Sequence, residues 1–188
     1  AAVGGSADLI SIDTGSSATI RGDAEVNSAA LDVAADNVQR VVTVTEAGGS
    51  SDAIGIEGAV SINTLGNNSL AAIDDDVEVD AKGDLTVDAR ADLENISVAG
   101  GVVATKGQVG IGFSVSLNTI ASDVSAYIGN YDPLGLDMAA ATGHLSSTGA
   151  VNLVAYSDIS QGAYSVAGAL ATDSKAQTEM PADASDTQ

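Results

Sequence analysis

Residues 54–73 read IGIEGAVSINTLGNNSLAAI, and residues 109–128 read VGIGFSVSLNTIASDVSAYI. Each residue of the second stretch lies 55 positions after its counterpart. Gly55, Ile56, Val60, Ser61, Asn63, Thr64, Ala71 and Ile73 recur as Gly110, Ile111, Val115, Ser116, Asn118, Thr119, Ala126 and Ile128. Self-similarity at a fixed period marks stacked architectures, in which each unit buries its surface against the next. Inside the repeat, Ile54, Ile56, Gly58, Val60 and Ile62 alternate with Gly55, Glu57, Ala59, Ser61 and Asn63. In the second copy Val109, Ile111, Phe113, Val115 and Leu117 alternate with Gly110, Gly112, Ser114, Ser116 and Asn118. Period two over ten residues is a strand signal, and it predicts that the apolar set is buried and the small or polar set is not.

Working outward, three units emerge. Residues 1–52 read as a degenerate first repeat, in which Ile10 and Ile12 lead into Asp13-Thr14 as Ile62 leads into Asn63-Thr64. LDVAA at 31–35 matches LTVDA at 85–89, and VVTVTE at 41–46 precedes a Gly-Gly-Ser-Ser turn signal. Residues 53–107 form the clearest unit: a long alternating run, a turn at Gly66-Asn67-Asn68, short strands, a turn at Lys82-Gly83-Asp84, and a second long run at 96–105. Residues 108–176 repeat it with an irregular insertion at 129–148, and 177–188 are a polar tail. AVNLVAYSD at 150–158 matches DLTVDARAD at 84–92, and SVAGALAT at 165–172 matches SVAGGVVAT at 97–105. The best candidate helix, LDMAAATGHL at 136–145, is interrupted by Gly143.

These units predict an all-β chain with two possible arrangements. One is a parallel β-helix, or β-solenoid, with about three coils in each 55-residue unit. The other is an antiparallel β-hairpin repeat array, with Lys106-Gly107 as a two-residue turn between 96–105 and 109–118. The repeat favours the β-helix. Gly58, Gly100-Gly101 and Gly168 are then places where the long runs could bend.

The 188 residues carry 26 acidic and 6 basic side chains, a formal charge of −20. Phosphate backbones need Lys and Arg, so nucleic acid is disfavoured, as is anionic lipid. Self-repulsion at this charge is relieved by salt or divalent cations, which suits a saline or calcium-containing exterior. With 3% aromatic residues and 45% hydrophobic ones, any core is built from Ala, Val, Ile and Leu. The chain has no cysteine, hence no disulfide or thiolate chemistry. Its opening at AAVGGSADL, without Met, suggests a mature product or a piece of a longer chain, and no apolar run is long enough to insert into a membrane.

Blocks of the form GIGFSVSLNT…SAYIG followed by GDLTVDA, at residues 109–119 with 125–129, 54–64 with 71–73, and 83–89, resemble the large repetitive filamentous adhesins of bacteria. These are the filamentous-haemagglutinin-like and leukotoxin-like surface proteins. The resemblance implies an exported cell-surface or filament-forming protein, right-handed parallel β-helix coils and no catalysis. It offers no catalytic residues to carry over. The insertion and the degenerate first unit depart from it.

Three sets of residues are candidates for chemistry. Asp74, Asp75, Asp76, Glu78 and Asp80 are the densest acidic cluster, and a hard cation such as Ca2+ takes six to eight oxygens. Asp76 opens a D-x-E-x-D pattern, but Ala81 stands where a helix-loop-helix calcium loop needs Gly, so a solvated turn is the plainer alternative. Arg21-Gly22-Asp23 spells a tripeptide that some cell-attachment receptors read, and the plainer reading is strand-turn-strand. His144, the single histidine, is expected in a loop without a metal partner. Asn67 and Asn95 open glycosylation sequons, of which Asn67 is the more accessible by pattern. Asn63 and Asn118, 55 apart, are not expected in adjacent coils. No GxSxG elbow or GxxxxGK[ST] loop is present.

The expected function is a structural stalk or filament segment of an extracellular repetitive adhesin, without catalysis or an obligatory cofactor. Its partners would be neighbouring repeats or like subunits, and a host or cell-surface ligand. The alternatives are a polysaccharide-cleaving β-helix enzyme, which needs clustered acids with a basic or calcium-assisted group, and a calcium-dependent binding module. Arg21, Arg40 and Arg90 are scattered and stacking aromatics are few, which counts against the enzyme.

Overall fold

The computed structural model describes residues 1–106, 109–129 and 143–171. Every element in them is a β-strand: β1 (Ala2–Ile20), β2 (Glu25–Ser28), β3 (Leu31–Ser51), β4 (Ile54–Ile73), β5 (Glu78–Ala81), β6 (Leu85–Thr105), β7 (Val109–Ile128), β8 (His144–Ser147) and β9 (Val151–Ala171). They pair in parallel as three sheets, β1-β4-β7, β2-β5-β8 and β3-β6-β9. The chain is therefore a parallel β-helix, and the hairpin array is ruled out: β6 pairs with β3 and β9, never with β7. The bends after Ser51 and Thr105 carry the chain from one long sheet to the other, whose strands then pack face to face.

The coil count corrects the expectation. Each repeat makes one coil, not three, because its strands are long. Gly66-Asn67-Asn68 and Gly48-Gly49-Ser50-Ser51 do not turn; β4 and β3 run through them. Gly58, Gly100, Gly101 and Gly168 likewise lie within unbroken strands. At about 3.3 Å per residue, the twenty residues of β4 reach roughly 65 Å. The molecule is thus a narrow blade of two long sheets, joined at one end by the short third sheet. Register is 55 between β4 and β7, as the sequence copy predicts (Ile54 beside Val109). Between β1 and β4 it is 53, so Ile12 lies beside Leu65 and not Ile62. Leu31 pairs with Leu85 and Val151 with Leu85, as the short matches predict, whereas Ser97 pairs with Ala163 and not with Ser165.

The two halves of the blade differ inside. Near the short sheet the interior is aliphatic, built on Ile73, Val79, Leu85, Val87 and Ala89, with Val33 and Ala35 of β3. Leu85 and Val87 are fully buried, and Asp88 points outward to bind Arg90. Toward the 51–54 bend the expected facing is reversed. Gly55, Glu57, Ala59, Ser61 and Asn63 point between the sheets, while Ile54, Ile56, Val60 and Ile62 lie on the outer face. In β7 the outward set is Val109, Ile111, Phe113, Val115 and Leu117, each about half exposed. Backbone proximity explains this reversal. A Cβ on Gly101 would meet the Phe113 carbonyl oxygen, and one on Gly112 would stand 2.7 Å from the Gly101 carbonyl oxygen. Sheets this close accept small inner residues except where a glycine leaves room for a larger one, as Gly4 and Gly49 do for Glu57 and Gly55 and Gly110 for Val103. The bulky members of the β4 and β7 alternation therefore face out.

The inner residues of this half are bonded across the gap. The Ser61 and Ser97 hydroxyls are 3.0 Å apart, and Ser116 donates to Ser97 at 2.7 Å. Thr43 donates to Asn63 Oδ1 at 3.3 Å, Asn63 Nδ2 donates to Asn118 Oδ1 at 3.0 Å, and Asn118 donates to the Gly162 carbonyl at 3.4 Å. Asn63 and Asn118 are therefore neighbours in adjacent coils, contrary to expectation, because one repeat is one coil. Asn67 and Asn95 are both fully buried, so neither sequon is accessible, and Asn95 lies mid-strand rather than at a strand start.

Two substitution pairs test this arrangement by thermal or denaturant unfolding. Leu85→Asp should cost about 3–5 kcal/mol through an uncompensated buried charge, while Asp88→Asn should cost under about 1 kcal/mol. Gly101→Ala should destabilise by about 1–3 kcal/mol through overpacking, whereas Gly100→Ala, whose Cβ meets nothing within 4 Å, should be neutral or slightly stabilising. Equal effects at Gly100 and Gly101 would refute the facing assigned here.

Candidate functional site

The connections from each first long strand to its short strand stack at one corner of the blade. In coil one this is residues 21–24, in coil two 74–77, and in coil three it includes Gly129 and Gly143. Backbone bonds tie the layers: Asp74 N–H donates to the Ile20 carbonyl at 2.9 Å, Glu78 N–H to Ala24 at 2.9 Å, and Gly129 N–H to Ile73 at 2.8 Å. Two of the sequence candidates therefore share this corner. The exposed Arg21-Gly22-Asp23 turn lies beside Asp74-Asp75-Asp76, because the 53-residue register of β1 and β4 carries straight into the turns. Gly22 takes a φ of 70°, the left-handed conformation that a tight turn needs and that glycine adopts without strain.

Three of the five predicted acidic residues converge. Carboxylate oxygens of Asp74, Asp75 and Asp76 lie within 4.8 Å of one another, and all three side chains are half-buried. Asp74 Oδ1 accepts the Asp75 backbone N–H at 3.1 Å, which fixes the turn. Asp76 Oδ1 is shielded from solvent and has no protein hydrogen-bond partner. The other two are outside that cluster. Glu78 is on the exposed face of β5, and Asp80 forms an ion pair with Lys82 at 2.5 Å. Three clustered carboxylates and nearby carbonyls are the oxygen-rich donors that a hard cation takes. The geometry thus narrows the calcium candidate from five residues to three.

Beside the aspartates is a hollow of about 290 Å³, lined by Asp23, Glu25, Asp76, Glu78, Gly143 and His144. Glu25, Glu78 and His144 are in-register partners in β2, β5 and β8, so they form a column on the outer face of the short sheet. His144 is a strand residue, not the loop residue expected, and the span 129–148 contains β8. Sequence reasoning missed this column; the 53-residue register would have revealed the pairing of Glu25 with Glu78. Residues 130–142, with most of the candidate helix and of the insertion, lie outside the described residues, as does the tail 177–188.

Two of the three arginines weighed for a polysaccharide-cleaving site are engaged with carboxylates away from the acidic corner, while Arg21 is exposed in the turn beside it. Arg40 pairs with Glu94 of the next coil at 2.8 Å, and Arg90 binds Asp88 through both Nε and Nη2. The hydrogen-bonded Asp88 carboxylate raises the Arg90 pKa still further above its ordinary value. A scan against protein-family models finds no match to this chain, and searches of curated proteins and of solved structures find none either.

If the three aspartates repel one another, Asp75→Asn should raise the melting temperature in a chelating buffer at low salt by about 2–4 °C, equivalent to about 1 kcal/mol. If they hold a cation, millimolar Ca2+ should stabilise the native chain more than Mg2+ at equal ionic strength, and Asp75→Asn should abolish that difference. Identical responses to Ca2+ and Mg2+ would remove the calcium assignment.

Proposed function

We propose that this chain is a structural segment of an extracellular repetitive adhesin-type protein, without catalysis, whose coils extend a stack of like repeats. The observation that carries this reading is the unbroken in-register parallel pairing of three coils along all three sheets. The outermost long strands, β1 and β3 on one side and β7 and β9 on the other, leave ladders open at both ends. Another coil of the same length adds to either end without any new kind of contact, which is how solenoids grow. The resemblance carried by residues 54–64, 83–89 and 109–119 supports the adhesin context and a cell-surface location; the comparisons add nothing to it.

What such a segment supplies is width and stiffness more than reach. One coil per repeat advances the stack by one strand spacing, about 4.8 Å, for 55 residues. A binding role for the acidic corner is the second reading. It is favoured by the convergence of the Arg21-Gly22-Asp23 turn, the three aspartates and the hollow at His144 on one edge.

Small-angle scattering of the dilute protein should give a radius of gyration of about 20 Å, set by the roughly 65 Å strands, against about 16 Å for a compact domain of this length. Duplicating residues 54–108 in the chain should raise it by less than about 1 Å, because the added dimension is the short one. Incubation with an acidic polysaccharide, with and without Ca2+, should release no shorter or unsaturated products. Measurable cleavage would replace the structural reading with the enzymatic one.

A further inference from the structure

The outer faces of the two long sheets carry complementary features at the same level of the blade. On the β1-β4-β7 face, Phe113 is the bulkiest exposed side chain, and its ring lies over Gly58 of the neighbouring strand. Ile111, Val115 and Leu117 flank it, all about half exposed. On the β3-β6-β9 face there is an apolar hollow of about 420 Å³ around Gly48 and Gly100, walled by Val98, Val102, Val166 and Glu46. It exists because those glycines present no side chain, and a Cβ on Gly100 would meet nothing within 4 Å. Knob and hollow stand back to back, since the Gly101 Cα faces the Phe113 carbonyl across the gap between the sheets.

We propose that the occupant of each face is a second copy of this chain, stacked sheet on sheet so that Phe113 of one copy seats in the Gly100 hollow of the next. Because the two features are on opposite faces, one shift along the blade normal satisfies both, and the contact repeats without closing. The apolar area fits this use. Three strands by about nine residues span roughly 14 × 30 Å, or about 400 Å² per face. Each face-to-face contact takes about 400 Å² from each partner, about 800 Å² in total and below the ~1,200 Å² of a stable specific interface, so each contact is weak and reversible and only repetition along the stack strengthens it. Contiguous exposed apolar patches of this size mark contact sites. Charge is segregated to permit it. Among the described acidic residues only Asp8, Glu46, Asp52 and Glu57 lie in the apolar half of the blade, and Asp8 and Glu57 point inward. Stacking does bring the acidic halves of neighbours face to face across one sheet spacing, about 10 Å, so the contact should strengthen as salt screens them. Lipid is the poorer occupant, because the open ladders of β1, β3, β7 and β9 would enter hydrocarbon unpaired. This lateral contact does not rest on the structural reading above and would hold for a chain of any activity.

The native chain has no cysteine, so single introduced thiols report unambiguously. Val115 and Val98 lie beside the knob and the hollow, at matching levels on opposite faces. Val115→Cys and Val98→Cys proteins, mixed in 0.5 M NaCl under mild oxidation by a copper–phenanthroline catalyst, should give the mixed disulfide in at least tenfold excess over either homodimer. Sedimentation of the native chain should show concentration-dependent association that weakens at least tenfold in 20 mM NaCl. Gly100→Leu, whose Cβ meets nothing within 4 Å and whose side chain fills the hollow, should weaken association at least tenfold while leaving circular dichroism unchanged. If that variant does not fold, the cysteine pair decides alone. Predominant Val115→Cys homodimers, a monomer at every concentration and salt, or binding to neutral phosphatidylcholine vesicles by a protein that stays monomeric, would each overturn the proposal.

Discussion

The closeness of the two long sheets over half the blade governs the rest of the structure. Where a Cβ on Gly101 or Gly112 would run into the backbone of the facing strand, no side chain larger than a few atoms can point inward. The alternation of large and small residues in β4 and β7 is then decided by size, not by polarity. Ile, Val, Leu and Phe of β4 and β7 go outside because the inner positions there take mostly Gly, Ala, Ser and Asn. The larger inward side chains of this half, Glu57 and Val103, lie where facing or neighbouring glycines leave room, Gly4 and Gly49 for Glu57 and Gly55 and Gly110 for Val103. An interior of small residues also permits the long strand: with no bulky core to wrap around, the two sheets can run together for twenty residues before the chain turns. That length in turn makes one 55-residue repeat equal one coil, and places Asn118 directly beside Asn63.

The same constraint splits the energetics of the molecule. Near the short sheet, Leu85, Val87, Val79 and Ile73 are withdrawn from water as in an ordinary core, each worth roughly 1.5–3 kcal/mol. Toward the bend, apolar burial is small and hydrogen bonds across the gap replace it. Such bonds contribute about 1 kcal/mol each net, but an inward polar atom left unmade costs more. Asn118 and Ser116 bind across the gap, whereas the Asn95 amide and the hydroxyls of Thr45 and Ser114 are buried without a protein partner. Ordered water is the usual partner for such groups. Fidelity in the thin half rests on a ladder of matched polar contacts, so it tolerates substitution less than its small residues suggest.

Much of this was legible in the sequence. The 55-residue copy fixed the pairing of β4 with β7, the alternation fixed the strands, and the LDVAA, LTVDA and NLVAY segments fixed the aliphatic half. What misled was the rule that the apolar member of an alternation is the buried one. That rule assumes a gap wide enough for large side chains, and local sequence does not report gap width. A signal was nevertheless present. Gly55, Gly110, Gly112 and Gly101 share the inward parity in their strands, and glycine recurring on one face of a strand marks close backbone approach. The turn signals at Gly66-Asn67-Asn68 and Gly48-Gly49 misled as well, because the parallel ladders of β4 and β3 continue through them. At the candidate site, both motifs were visible and their adjacency was not. It depends on a 53-residue register that the degenerate first repeat conceals.

The coil count also changes what a repetitive segment of this kind does mechanically. At about 4.8 Å of rise for 55 residues, roughly fourteen repeats are needed before the stack is as long as its own strands. A chain selected for reach would use short coils, as compact solenoids do. This one spends its residues on breadth: long parallel ladders in every coil, edges open to further coils, and broad faces whose character changes from acidic to apolar along the strand. The apolar band recurs in all three coils, so a stack of such coils would multiply that weak surface feature at a spacing of one strand. A contact of marginal strength on a single coil becomes strong when many coils present it in register. In such a segment the repeat count sets avidity more than distance.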